Sequence, residues 1–144
     1  MPLRALDTNG YVELLRGGPR AAAIRAAMGA AGTELVVLMP VMAELQQGAR
    51  TVAEGRALAQ RFVEPVAIGR RLAATGAEWL DTGACVAAMR RAGHDPAELA
   101  RRSFWLEVHV ARLCRARGVV LWTDDADHVR LQAHVGHRVE ALPA

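Results

Sequence analysis

The sequence predicts an α/β domain: a largely parallel central sheet with helices on both faces, in three α/β/α layers. Short apolar runs alternate with longer helical stretches, the order that builds parallel sheets. Two of the runs, ELVVLM at 34–39 and VVLW at 119–122, are almost uniformly apolar, as expected of strands covered on both faces. Acidic residues stand where two of the strands give out, the edge from which functional loops leave an open α/β sheet. The 144 residues suffice for one such core and are too few for two enzyme domains, so a single domain over 1–144 is expected.

Residues 3–6 form a first short strand leading to Asp7, and Thr8 and Asn9 suit a turn or helix entry. A helix is expected over 19–28, with Pro19 near its start and Gly29 and Gly32 as punctuation. The buried strand at 34–39 meets Pro40 and a helix carrying Val41, Glu44, Leu45 and Gly48. Residues 53–62 favour a helix, Pro65 interrupts it, and 66–72 read either as a short strand or as a further helical turn. A helix over 77–91 presents Trp79, Cys85, Val86 and Met89 as apolar contacts, and Gly93 ends it. Asp95-Pro96 reads as an N-cap and first helical residue, with Glu98 placed for a capping box. A helix over 103–115 is followed by Gly118, the strand at 119–122 and the acidic run TDDAD at 123–127; residues 138–142 add an edge strand.

Composition narrows the functional classes. At 52% hydrophobic and 23% charged the chain is not disordered, and with 4% aromatics its core must be built from Ala, Val and Leu. The net charge is +3, and all 18 basic side chains counted in it are arginine. Arginine grips phosphate with a planar fork, which makes nucleic acid a candidate partner without establishing one. Cys85 and Cys114 lack zinc-site spacing and are expected to be reduced, structural thiols. No apolar run reaches the roughly 18 residues of a membrane span and the start lacks a secretory pattern, so no membrane association and a cytoplasmic location are expected. Gly17 and Gly18 make no phosphate-loop motif. The five histidines have no metal-site spacing and are expected to be structural or on the surface, although His128 adjoins the acidic run. Phe104 and Trp105 are expected to pack rather than to stack on RNA.

The acidic residues carry the chemistry. Asp7 and Asp125 follow strands suited to neighbouring positions, so residues from opposite ends of the chain can share one sheet edge; taken singly, each can equally cap a helix or turn. Glu44 lies among apolar helical neighbours. Glu107 shares a face with Ser103, Val110, Ala111 and Cys114, where a buried carboxylate needs a cation or an arginine as partner.

Four segments in order, LDTN at 6–9, PVMAEL at 40–45, SFWLEVHVARL at 103–113 and VVLWTDDAD at 119–127, resemble the motifs of PIN-domain nucleases, especially VapC-like toxins, and the resemblance spans nearly the whole chain. It implies a PIN-like fold in which Asp7, Glu44, Glu107 and Asp125 are catalytic and metal-binding, with Asp127 assisting or replacing Asp125. Glu107 stands where related sequences present an aspartate, which keeps the charge and adds a methylene; Leu106 stands where many carry a polar residue. Thr8, Asn9 and Thr123 adjoin the acids and are expected to orient them or their waters. Mg2+ suits such an oxygen-rich site and Mn2+ is a further candidate. The resemblance further implies RNA as substrate, with Arg101, Arg102, Arg112, Arg115 and Arg117 available to attract it, a cognate antitoxin and a homodimer. The alternatives are a non-catalytic PIN-like domain that binds RNA or protein, and a metal-dependent DNA nuclease.

Overall fold

A parallel four-stranded sheet organises the protein, its strands in the order Glu34–Leu35, Leu3–Leu6, Val119–Trp122 and Arg138–Glu140. The computed structural model describes residues 2–144; Met1, the first residue of the expected domain, lies outside them. Strand β1 (Leu3–Leu6) is followed by α1 (Thr8–Arg16) and α2 (Ala21–Met28), then by β2 (Glu34–Leu35) and β3 (Val37–Leu38). Helices α3 (Met39–Gln47) and α4 (Val52–Phe62) come next, and a 3-10 turn (Ile68–Arg70) leads into β4 (Arg71–Leu72). The second half runs α5 (Gly76–Arg91), α6 (Pro96–Leu99), α7 (Phe104–Arg117), β5 (Val119–Trp122), α8 (Ala126–Val135) and β6 (Arg138–Glu140).

All strand pairs described are parallel, and the central one, β1 with β5, runs from Leu3 opposite Val119 to Leu6 opposite Trp122. The expected single strand at 34–39 is broken. Its first half pairs with β1, the Val36 N–H donates to the Arg4 carbonyl at 2.9 Å, and its second half pairs with β4. Met39 opens α3 instead of ending the strand, with Pro40 in the first turn, where its missing N–H costs nothing. The undecided segment at 66–72 resolves into the 3-10 turn and β4.

Other expectations shift at their edges. Helix α2 begins at Ala21, after Pro19, and β6 stops at Glu140, short of residue 142. The Asp95 side chain caps α6 by accepting from the Ala97 N–H, but Glu98 turns to His94 Nε2 at 3.0 Å instead of closing a capping box. The reciprocal box occurs at the start of α5, between Thr75 and Glu78.

Two apolar clusters follow. The larger joins the sheet to α1, α2, α3 and one side of α7; the smaller packs Val86 and Met89 of α5, Phe104 and Val108 of α7 and Leu131 of α8. Helix α7 is therefore held on both sides, which fixes the rotation of its remaining face. Trp79 departs from its expected core role: it is half exposed and stacks with Trp105 and His109, with ring centroids 5.4 and 4.3 Å away. Phe104 is buried as expected. Both cysteines are free, Cys114 buried and Cys85 partly so. Among the described residues no helix is long and apolar enough to cross a membrane.

Candidate active site

The in-register end of β1 and β5 creates the site. Leu6 opposite Trp122 makes Asp7 and Thr123 the next residues out, and the Asp7 N–H continues the ladder by donating to the Trp122 carbonyl at 3.0 Å. Asp7 is thereby placed at the N-cap of α1, where partial positive charge from the helix favours a carboxylate. It is 7% exposed, and Thr123 Oγ1 donates to its Oδ2 at 2.8 Å. The same hydroxyl oxygen accepts from the Asp125 N–H at 3.0 Å. Thr123 thus ties the acid of the first strand to that of the last. Asp125 in turn caps α8, its Oδ1 accepting from the Asp127 N–H at 2.9 Å.

The other two carboxylates come from helices. Val41 and Leu45 anchor α3 in the core, leaving Glu44 half-buried at the cleft wall, where Thr8 Oγ1 donates to its Oε2 at 2.8 Å. Phe104, Val110, Ala111 and Cys114 anchor α7 and leave Glu107 in the first turn facing the cleft. Burial holds the Glu107 carboxyl above its ordinary range; Arg101 and a hydrogen bond from Ser103 oppose that shift, and the nearby Asp125 charge reinforces it.

The result is an open cleft of about 550 Å³ lined by Asp7, Thr8, Asn9, Glu44, Glu107 and Asp125 among others. All four principal acids and two of the three auxiliary residues share it. The third, Thr123, lies beneath it, bonded to Asp7. Asn9 Oδ1 is buried with no hydrogen-bond partner among the described residues. Two groups of ligand atoms lie close enough to share an ion: Asp7, Asp125 and His128, and Glu107, Asp125 and Asp127, each mutually within 4.8 Å. Asp125 belongs to both. A divalent cation fits this donor set, because Asp7 and Asp125 stand close together with no arginine bonded to either among the described residues.

Asp127 lies beside the principal acids, bonded to Arg130 and, at 2.5 Å, to Arg101; Arg101 also donates to Glu107 at 3.0 Å. The arginines singled out for nucleic acid are dispersed. Arg101 stands at the cleft and Arg102 is exposed. Arg112 pairs with Asp81, Arg117 with Glu78 at 2.7 Å, and Arg115 donates to the Val135 carbonyl at 2.8 Å. Two charged lining residues, Glu13 and Arg16, escaped the sequence reading of the site, and His128, noted there only for adjoining the acidic run, lines the cleft as well. Their signal was helical spacing. Glu13 and Arg16 follow Asn9 by four and seven positions on α1, and His128 follows Asp125 by three. His128 and His137 are buried with His109, so three of the five histidines are interior. Burial pushes the His128 imidazole down, against the pull of Asp7, Asp125 and Glu44, and pushes His137 down to about 4, with the charge of His128 adding to the effect.

Fold and site together define a PIN-like α/β domain with a carboxylate-lined cleft at the carboxyl ends of its parallel strands. Solved structures match this architecture over nearly the full chain. A chain of VapBC-1 from nontypeable Haemophilus influenzae is 18% identical, with a TM-score of 0.62 and coverage of 97% of this chain and 98% of that one. A chain of VapBC2 from Rickettsia felis, bound to a DNA fragment from their promoter, is 14% identical at a TM-score of 0.62, covering 96% and 98%. No family model and no curated protein matches the sequence.

Proposed function

We propose that the chain is a single-domain, divalent-cation-dependent endoribonuclease, the toxin of a toxin–antitoxin pair. The observation that carries the reading is the meeting of Asp7, Glu44, Glu107 and Asp125 in one cleft from four separate segments. The likeness to VapBC chains supports the toxin and antitoxin part of it.

Asp7 and Asp125 would hold the cation, with Glu44 and Glu107 completing the acidic wall and Asp127 in reserve. When bound, Mg2+ or Mn2+ supplies Lewis acidity toward a phosphodiester and lowers the pKa of water. The chain's own groups position the reactants. Thr123 fixes the Asp7 carboxylate, Thr8 fixes Glu44, and Asn9 offers a buried amide oxygen with no other partner. Arg101 holds Glu107 and Asp127 and stands ready to meet a phosphate if those contacts exchange. Arg112 and Arg117 are engaged by acids of α5, which leaves Arg101, Arg102 and Arg16 as the arginines best placed for a nucleic-acid strand.

An antitoxin segment that covers the cleft and a homodimer in the cytoplasm complete the reading. The test is cleavage of diverse RNAs and matched DNAs by purified protein in Mg2+, Mn2+ and chelator, with folded Asp7→Asn as control. RNA cleavage that requires the cation and Asp7 is the expected result. RNA binding without cleavage in either metal would overturn catalysis, and preferential DNA cleavage would overturn the substrate.

A further inference from the structure

The most buried basic group of the cleft is an imidazole. His128 lies in the first turn of α8, is 1% exposed and lines the cleft beside Asp7 and Asp125. Its Nε2 lies 3.7 Å from Asp7 Oδ2, beyond hydrogen-bond reach, and its Nδ1 is buried with no partner among the described residues. A cation would meet the other nitrogen, Nε2, which stands beside the Asp7 carboxylate without a hydrogen bond among the described residues.

Nothing else in the cleft accounts for this residue. The ring is too deep to sweep the surface for substrate. Its aromatic neighbour among the described residues is His137, whose own nitrogens are both buried without partners there and whose ring centroid is 5.6 Å away. What His128 does have is proximity to two carboxylates. Ligand atoms of Asp7, Asp125 and His128 lie within 4.8 Å of one another, a span that two metal–ligand bonds of about 2.1 Å nearly bridge.

We propose that His128 is a ligand of the cation site, through Nε2, alongside Asp7 and Asp125, and that it shifts the site's preference from Mg2+ toward first-row transition dications. The inference rests on the reading that the cleft holds a divalent cation, and it adds which one. Two carboxylates and an imidazole form a mixed oxygen and nitrogen set. Mg2+ takes oxygen almost exclusively, whereas Fe2+, Co2+ and Zn2+ gain from the nitrogen. The neighbouring group of Glu107, Asp125 and Asp127 is all oxygen and supplies no such bias.

Calorimetric titration of the full chain with Co2+ and with Mg2+, together with pulsed EPR of the Mn2+-loaded protein, tests this without any activity measurement. Wild type is expected to bind Co2+ more tightly than Mg2+ and to show a 14N coupling to Mn2+. Loss of the imidazole in His128→Asn or His128→Phe should remove the coupling. It should also lower the Co2+ to Mg2+ affinity ratio by about tenfold or more, at least what loss of an outer partner costs a metal site. Circular dichroism selects the variant that remains folded, and the wild-type EPR spectrum decides the point even if neither does. Cation binding with no 14N coupling and an unchanged ratio in a folded variant overturns the role of His128 while leaving the cation-dependent reading intact. Binding of neither ion by wild type overturns both.

Discussion

Replacing Asp7 by Asn separates stability from function in opposite directions. Asp7 and Asp125 bring carboxylate oxygens within 4.8 Å of each other. At an effective dielectric of about 20, two like charges at that spacing repel by about 3.5 kcal/mol. Neutralising Asp7 relieves this. It also replaces the charge-assisted bond from Thr123 by a neutral one, a loss of about 1 kcal/mol, and removes a charge favoured by the N-terminus of α1, a further ~0.5–1 kcal/mol. Asn keeps an acceptor for Thr123 and remains a good N-cap. The net expectation without divalent cation is a variant more stable by about 1–2 kcal/mol, or roughly 3–6 °C in Tm for a chain of this length. Cation reverses the order. At about 100 times its Kd a ligand stabilises the native state by about 2.7 kcal/mol, a gain wild type receives and Asp7→Asn largely forgoes. Thermal melts in chelator and in increasing Mg2+ or Mn2+ read both limbs. Destabilisation of Asp7→Asn by more than about 2 kcal/mol in chelator, or equal stabilisation of both proteins by the cation, would refute the electrostatic account of the cleft.

Three other perturbations follow from the same geometry. Thr123→Val keeps the shape but leaves the Asp7 carboxylate and the Asp125 N–H without their shared partner; denaturant melts should show a loss of about 2–4 kcal/mol, and metal titration a fall of roughly tenfold or more in affinity. A near-neutral melt would remove Thr123 from the positioning of the site. The raised Glu107 carboxyl should set an acid limb in the pH–rate profile above the ordinary glutamate range, and Arg101→Gln should move that limb higher, because the arginine opposes the shift. A limb that stays put or moves down contradicts the pairing. His137, held down to about 4 by burial, binds its proton more readily when unfolded; its contribution is fully present above about pH 6.5 and is lost as pH falls toward 4, up to roughly 2–3 kcal/mol. In His137→Leu that acid sensitivity should flatten in pH-dependent melts, and an unchanged slope assigns it elsewhere.

Much of the fold was legible because burial on both sides of a sheet leaves a local signature. The VVLW run at 119–122 and the alternation of strands with helices suffice for a parallel sheet, since neither needs knowledge of distant partners. The break at Val36 was not legible. An apolar run reads the same whether it pairs with one strand or divides its hydrogen bonds between two.

The site divides along the same line. Sequence alone placed Asp7 and Asp125 beyond strand ends and marked Glu44 and Glu107 as acids on apolar helical faces, because helical and strand periodicities are local properties of the chain. Tertiary structure decided that Leu6 stands opposite Trp122, and that register brings the first strand's acid onto the last strand's threonine. It likewise decided that Arg101 neutralises Glu107 and Asp127 while Arg112 and Arg117 are taken up by α5, and that His128 turns inward beside Asp7. Charges and ring nitrogens carry no periodicity that reveals their partners. Their roles are settled by which long-range contacts exclude water, and only the assembled core determines those.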